Sequence, residues 1–238
     1  MGASRGIGRG IAQALAREGA RVALCARNRD DLEAVAAELD TETLVLVADS
    51  GDLDRVAALP AAVGAELGPL EILVVNTGGP PPGGALDHGR EEWEAAYRTL
   101  VLAPKALVET AVEGMRERGW GRIVNVASSS VREPIAGLAL SNAHRMATVG
   151  LFKTLSTEVA GDGITLNTIA TGRFATERLA QMYGSLEAAE AQAQHDVPAG
   201  RLGTPEEYGD LVAFICSERA AYLTGTVIPL DGGMLRSA

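Results

Sequence analysis

The chain alternates between short, nearly continuous apolar runs and longer stretches in which apolar residues recur every three or four positions. The longer stretches predict helices with one buried face, including long ones at about 90–118 and 138–160, and one near 53–67 that Pro60 interrupts. Such alternation predicts an α/β protein with a parallel sheet covered on both faces. The apolar runs that predict strands are 21–26, 43–48, 70–75, 121–127, 164–170 and 226–230.

A glycine-rich turn precedes the first predicted helix, with Gly2, Gly6 and Gly8 ahead of the apolar-periodic Ile7 and Ile11. Glycine lets the backbone turn tightly, and the free N–H groups and positive dipole end of a helix attract phosphate. The turn therefore predicts a pyrophosphate cradle, with an ordinary turn as the alternative. The strand at 21–26 favours the cradle, because it stands where the second strand of a nucleotide-binding unit would.

Three other segments stand out beside the predicted strands. Glycines and prolines fill 76–84, directly after a strand, where ligands bind in open α/β sheets. Ser128 begins a run of three serines after another strand, for which a plain turn is the alternative interpretation. Residues 174–200 are polar and alanine-rich, and we expect them to be a mobile segment that covers the substrate site.

Composition narrows the function further. The 238 residues carry a formal net charge of −10, which argues against a nucleic-acid partner, and a chain of this length predicts one domain, 1–238. The sequence has neither a membrane-length apolar run nor a secretory leader, so we expect a cytoplasmic protein. Cys25 and Cys216 are interpreted as core residues, and no Cys/His spacing indicates a metal site.

Taken together, these segments resemble the short-chain dehydrogenase/reductase family, in particular its 3-oxoacyl-carrier-protein reductase-like branch. The resemblance rests on ordered motifs across nearly the whole chain: 2–8, Asp49, 76–78, 122–125, 163–167, 201–207, 223–225 and 231–233. It implies a Rossmann-type, doubly wound, seven-stranded parallel sheet that binds a nicotinamide dinucleotide. The residues that it assigns to the cofactor are Gly2, Ser4, Arg5, Gly6, Ile7 and Gly8 in the cradle, Asp49 near the adenine, and Asn76 and Gly78 near the ribose.

The charge around the cradle bears on which dinucleotide binds. An acidic residue after the second strand would bond a free ribose 2′-hydroxyl, whereas this sequence has Arg27 there and Arg5 in the glycine turn. This pair of cations suits a 2′-phosphate, so we expect NADP(H) rather than NAD(H). The alternative is that both are surface arginines without a ligand.

The sequence departs from the family at its catalytic group. Ser128 fits the catalytic serine, but the family's tyrosine, lysine and asparagine positions are Ser141, Arg145 and Leu100. Serine is a far weaker acid than tyrosine, and arginine stays protonated, so neither takes over proton transfer well. Substitute proton donors are His144, Tyr183 and His195, each with an ordinary surface role as the alternative.

A second hypothesis concerns charge at the site: Arg132, Arg145 and Arg173 converge there and favour an anionic substrate or the cofactor diphosphate. A second departure is that the sequence has no strand ahead of Met1, although the resembling fold places one centrally. We expect its absence to leave a slot in the core, and the natural start to lie about ten residues upstream.

The leading interpretation is an NADP(H)-dependent oxidoreductase of a small carbonyl or alcohol substrate, such as a 3-oxoacyl thioester, that forms a homo-oligomer through its two long helices. The alternative is a protein of the same fold that has lost the chemistry and acts as a nucleotide-binding, regulatory or partner subunit.

Overall fold

The computed structural model describes residues 1–237, and its strands are all parallel. They follow the predicted apolar runs to within two residues, which confirms the α/β class. The described strands form two sheets, β1–β2 and β3–β4–β5–β6 in that spatial order, rather than one sheet of seven. Their bounds are β1 Val22–Ala26, β2 Thr43–Val47, β3 Ile72–Val75, β4 Gly121–Val126, β5 Ile164–Thr171 and β6 Val227–Leu230.

Helices connect the strands and cover both faces of the sheets. Helix α3 runs through Pro60 without ending, so the predicted interruption was wrong; the proline is buried within the helix. No helix of residues 1–237 has the length and apolar character needed to cross a membrane. The helices are α1 Gly6–Arg17, α2 Arg29–Ala36, α3 Leu53–Glu66, α4 Arg90–Tyr97, a π-helical turn Arg98–Leu102, α5 Ala103–Arg118, α6 Ala139–Val159, α7 Glu177–Tyr183, α8 Leu186–Asp196 and α9 Pro205–Cys216.

The edge strands β1 and β3 of the two sheets lie on either side of a slot. Residues 1–3 close its upper end: the Met1 nitrogen donates to the Val74 carbonyl at 3.0 Å, and the Ala3 N–H donates to the Cys25 carbonyl at 3.1 Å. Below them lies a cavity of about 280 Å³, lined by β1, β3 and the flanking helices α1 and α3. The two sheets are therefore joined by short contacts of the chain's first residues, and the core between them is not filled.

The packed core divides between the two faces of the larger sheet. One side is covered by α3, α5 and α6, with Leu107 and Phe152 buried against Leu166. On the other side, Ile11 of α1 and Tyr208 of α9 pack against β4 and β5. Cys25 and Cys216 are 5% and 3% exposed and belong to these clusters, which confirms them as core residues.

Residues 174–200 carry two helices, α7 and α8, that pack together around a small cluster of their own. Ala189 and Ala193 are its centre, with exposures of 1% and 0%. The segment is therefore helical, and its mobility stays a prediction.

Candidate functional site

The glycine turn adopts a shape that only glycine accommodates at several positions. Gly2 and Gly6 have φ of +63° and +51°, in the left-handed region that other residues avoid. A Cβ on Gly8 would lie 1.9 Å from the Gly2 carbonyl oxygen, and the Asn76 side-chain amide donates to that same oxygen at 3.2 Å. The turn is thus held against the end of β3, and its packing leaves no room for a side chain at Gly2 or Gly8.

Helix α1 starts at this turn with an open end. Its N-cap residue is Arg5, whose side chain caps no N–H group, and its first turn contains no acidic residue. Ser4 is half-buried beside it, whereas Ile7 turns inward and packs near Ile11. The free N–H groups and the positive end of the helix dipole fit a diphosphate, as the glycine spacing predicted.

The two arginines expected at a 2′-phosphate differ in what they contact. Arg5 forms ion pairs with Asp31 at 3.0 Å and with Glu177 at 2.8 Å. Arg27 is exposed, and within residues 1–237 it forms no ion pair or side-chain hydrogen bond. Arg27 is therefore the available cation, and Arg5 must leave two carboxylates before it binds a phosphate.

The remaining residues assigned to the cofactor follow the ends of β2 and β3. Asp49 is exposed after β2, and its carboxylate accepts the Gly51 N–H at 2.7 Å. Gly78 is exposed two residues beyond Asn76, with open space around its Cα. Both lie at the carboxyl edge of their sheets, where a dinucleotide binds in such folds.

The residues at the family's catalytic positions gather beside the end of β4. Ser128 follows this strand, and its hydroxyl oxygen accepts the Ser130 N–H at 3.1 Å. Arg145 of α6 donates to the carbonyl of Val126, the last residue of β4, at 3.0 Å. Ser141 lies one helical turn before Arg145, on the same side of α6, and is 6% exposed.

The third substituted position, Leu100, lies in the π-helical turn between α4 and α5 and is 2% exposed. A π turn leaves the regular hydrogen-bond ladder, and here the Thr148 hydroxyl of α6 donates to the Leu100 carbonyl. The helix therefore contains a π-helical turn although no asparagine stands at this position. Thr148 escaped the sequence analysis because its partner is 48 residues away.

The structure places the substitute proton donors in varied surroundings. His144 is 7% exposed, bonds the Leu140 carbonyl through Nδ1 at 2.7 Å and packs against Trp93, so its surface alternative was wrong. Tyr183 lies under the Arg173 guanidinium, and His195 is exposed on α8.

His88 lies in the loop between β3 and α4, where a histidine is usually exposed to solvent. Its side chain is only 4% exposed and lies beneath Gly83, where a Cβ would be 2.5 Å from Nε2. The ring contacts Glu92 at 3.3 Å through Nδ1. Burial under the loop, which the local sequence does not reveal, decides its environment.

Two of the three arginines expected to converge have other partners. Arg132 donates to the Val227 carbonyl, and Arg173 pairs with Asp196 at 2.7 Å. Arg145 lies at the end of β4, and the convergence of all three stays a prediction. A residue that we did not single out, Arg178, lies at the neighbouring loop: its guanidinium packs on Gly79, where a Cβ would be 2.0 Å from Nη2.

Residues at the start of α7 cover the glycine turn. A Cβ on Gly6 would lie 3.1 Å from the Thr176 methyl group, and Glu177 holds Arg5. On the opposite side, the loop after β3 is tied to the start of α6, because the Gly83 N–H donates to the Gly137 carbonyl at 2.7 Å. Arg178 of α7 also packs on Gly79 of this loop, so the glycine turn, the loop, α6 and α7 lie around one candidate site, which we call the cleft.

Comparison with known proteins matches this architecture. The family model described as "Enoyl-(Acyl carrier protein) reductase" matches residues 2–235. A 3-oxoacyl-[acyl-carrier-protein] reductase from Vibrio cholerae is 34% identical over 98% of the chain and 94% of its own length. The NADPH-dependent reductase BacG from Bacillus subtilis is 30% identical, over 100% of the chain and 96% of its own.

A solved structure has the same fold over nearly its whole length. L-sorbose reductase from Gluconobacter frateurii, complexed with NADPH and L-sorbose, aligns with a TM-score of 0.94 and 31% identity. The alignment covers 100% of the chain and 95% of that protein. The likeness therefore extends over both sheets and the cleft.

Proposed function

The chain belongs to the short-chain dehydrogenase/reductase family, in its 3-oxoacyl-carrier-protein reductase-like branch, and we propose that it is an NADP(H)-dependent oxidoreductase of a small carbonyl or alcohol substrate. The observation that carries the proposal is the cradle: a glycine turn, too tightly folded to accept a Cβ at Gly8, at the open start of α1. Similarity to NADPH-dependent reductases supports the choice of cofactor.

The cofactor's parts would meet different residues. The N–H groups at the start of α1 would hold the diphosphate, and Asn76 and Gly78 would flank the ribose on the adenine side. Arg27 would bind the 2′-phosphate, because it is exposed and without an acidic partner in the described residues. Exposed ion pairs contribute only about 0.2–1 kcal/mol, so Arg5 could exchange its carboxylates for that phosphate.

When bound, the nicotinamide supplies or accepts a hydride. In the direction of reduction, the carbonyl carbon gains the hydride and the carbonyl oxygen gains a proton. Ser128 and Ser141 would orient that oxygen and donate hydrogen bonds to the negative charge that develops on it. The proton would come from solvent, since a serine hydroxyl is a poor acid. Loss of a general acid costs about 10²–10⁴-fold in rate, so we expect slow turnover.

A second candidate is a nucleotide-binding protein without catalysis. The substitutions at Leu100, Ser141 and Arg145 favour it. The cradle would then serve regulation or assembly with a partner subunit. Both candidates predict cofactor binding, and only the first predicts oxidation of NADPH by carbonyl compounds.

The test is a fluorescence titration of the whole chain with NADPH and with NADH. We expect micromolar binding of NADPH and weaker binding of NADH. Arg27→Ala should weaken NADPH binding about tenfold and leave NADH unchanged. Arg29→Ala is the matched control, because Arg29 is equally exposed but already pairs with Glu33.

Absence of binding by folded protein, checked by circular dichroism, would refute both candidates. If NADPH binds, its consumption is followed at 340 nm with a panel of 3-oxoacyl thioesters, ketones and sugars. No turnover on any of them would favour the non-catalytic candidate.

The homo-oligomer is also a proposal. Tyr97 of α4 and Met146 of α6 are 46% and 47% exposed, and apolar exposure on these two long helical regions fits an interface between copies. Sedimentation velocity decides it: a single species of monomer mass, 24.7 kDa, at micromolar concentration would contradict it.

A further inference from the structure

Two arginines face the cleft without a carboxylate partner. Arg145 approaches it from α6 and donates one hydrogen bond, to the Val126 carbonyl. Arg178 approaches from the first turn of α7 and packs on Gly79. Within residues 1–237, no carboxylate lies within 4 Å of either guanidinium, whereas neighbouring Arg5 and Arg173 are both paired.

The lack of acids here is local. The chain has 31 acidic and 21 basic residues, so acidic side chains are abundant. Burial lowers the pKa of Arg145 to about 10, with the charge of Arg178 as the second cause, and burial also lowers the pKa of Arg178. Both stay protonated at neutral pH. A buried guanidinium that is influenced by a second positive charge is stabilised when an anion joins the pair.

We propose that Arg145 and Arg178 form a binding site for a negatively charged group of the substrate, a carboxylate, so that the substrate is an oxo acid or hydroxy acid. This inference rests on the proposed function, because it assigns the substrate class of that same cleft. Planar guanidinium groups match the two oxygens of a carboxylate.

The positions of the two arginines favour the substrate over the cofactor as the source of the anion. The cofactor diphosphate has its own site at the start of α1, near Thr176. Arg145 instead lies beside the end of β4, next to Ser128 and one turn from Ser141, where the reacting carbonyl would be held. A carboxylate between Arg145 and Arg178 would thus anchor a substrate within reach of these serines.

Binding is measured on protein saturated with NADP⁺, because the oxidised cofactor cannot reduce a carbonyl and no turnover disturbs the equilibrium. The probes are acetoacetate and methyl acetoacetate, which share the same carbonyl and differ in charge. Ligand-observed NMR titration should show acetoacetate binding about tenfold more tightly or better. Arg178→Gln should abolish that preference and leave the affinity for NADP⁺ and for the ester unchanged.

Two further variants sharpen the result. Arg178→Lys keeps the charge and should retain part of the preference for acetoacetate. Arg173→Gln is the matched control, because Arg173 lies five residues before Arg178 and already pairs with Asp196; the affinities for both probes should stay unchanged.

Equal affinities for the acid and the ester in the wild-type protein would overturn the proposal. An equal loss of NADP⁺ affinity in Arg178→Gln would overturn it too, because the arginine would then belong to the cofactor diphosphate. If the protein binds no NADP⁺, the proposed function fails, and the same titration is made on the unloaded protein. An acetoacetate preference that Arg178→Gln removes would then still support the anion site, and its absence would refute it.

Discussion

In the four-stranded sheet, all six residues of β4 and seven of the eight in β5 are buried, whereas all five residues of β2 in the smaller sheet keep partial exposure. Ser128 and Arg145 lie beside the end of β4 in the larger sheet, whose four strands are hydrogen-bonded without a break. The smaller sheet carries the ends at which Arg27 and Asp49 would meet the cofactor, and a cavity of about 280 Å³ separates it from the larger.

This difference assigns separate physical roles to the two sheets. The residues at the catalytic positions lie on a filled core. The proposed cofactor site instead lies on residues 1–8, which bridge the two sheets and form the glycine turn. Ligands that bind only the folded state stabilise it, so we expect NADP(H) to stiffen the smaller sheet most. The predictions below test this comparison.

The largest expected effect is on the free energy of unfolding, in a comparison of two leucine-to-alanine variants. Leu166→Ala in β5 removes a side chain from filled core, and Leu73→Ala in β3 removes one that already borders the cavity. Deletions of buried leucine cost about 2–5 kcal/mol, and we expect about 4 for Leu166 and about 2 for Leu73. Urea unfolding measures both. Equal costs, or a larger cost at Leu73, would show that the slot is as well packed as the sheet.

The second prediction concerns the bridge itself. Gly8→Ala places a Cβ against the Gly2 carbonyl, so the turn must open, and we expect NADPH affinity to fall about 100-fold, or about 2.7 kcal/mol. The control is Gly64→Ala in α3, where nothing lies within 4 Å; it should stabilise the helix by about 0.5–1 kcal/mol. Unchanged NADPH binding in Gly8→Ala would mean that the turn is not the cradle.

A third prediction tests the contact between the π-helical turn and α6. Thr148→Val keeps the side-chain shape but leaves the buried Leu100 carbonyl without its hydroxyl donor, which costs about 1–3 kcal/mol. Thr154→Val, on the exposed face of the same helix, removes a similar bond to the Gly150 carbonyl in water. In thermal unfolding, Thr148→Val should have the lower melting temperature. Equal melting temperatures of the two variants would contradict this role of Thr148.

The smallest expected effect is a pH dependence of the unfolding free energy that Glu207 of α9 causes. Helix α9 packs beside α1 against the larger sheet. Arg201 and the Thr204 N–H lower the pKa of Glu207 to about 2, from an ordinary value of 4.5. Because the folded state binds the proton more weakly, the stabilisation is complete above about pH 4.5 and is lost as the pH falls towards 2. Both side chains are about half exposed, so we expect only about 0.5 kcal/mol.

Glu207→Gln should therefore lower the unfolding free energy at pH 7 by that amount and leave it unchanged near pH 2. Glu206→Gln, in the same first turn of α9 and without an ion pair in residues 1–237, serves as the control. A difference between wild type and Glu207→Gln that persists at pH 2 would contradict this assignment.

Much of the fold was predictable because the signals are local. Apolar runs located every described strand, because each strand contains consecutive apolar residues. The glycine turn was predictable for the same reason, since its conformational demands lie within eight residues. The candidate site was predictable only in part. Arg145 was found by its place in a motif, whereas Arg178 carries no motif and meets Gly79 only in the folded chain.

By itself the sequence determined the order of strands and helices, the glycine turn at the start of α1 and the loss of the tyrosine and lysine positions, because each is written in consecutive or regularly spaced residues. The tertiary structure decided which charges are available. It paired Arg5 with Glu177 and Arg173 with Asp196, and it left Arg145 and Arg178 without a carboxylate partner at one cleft. The physical reason is that ion pairing depends on which distant segments meet, and no local pattern encodes that meeting.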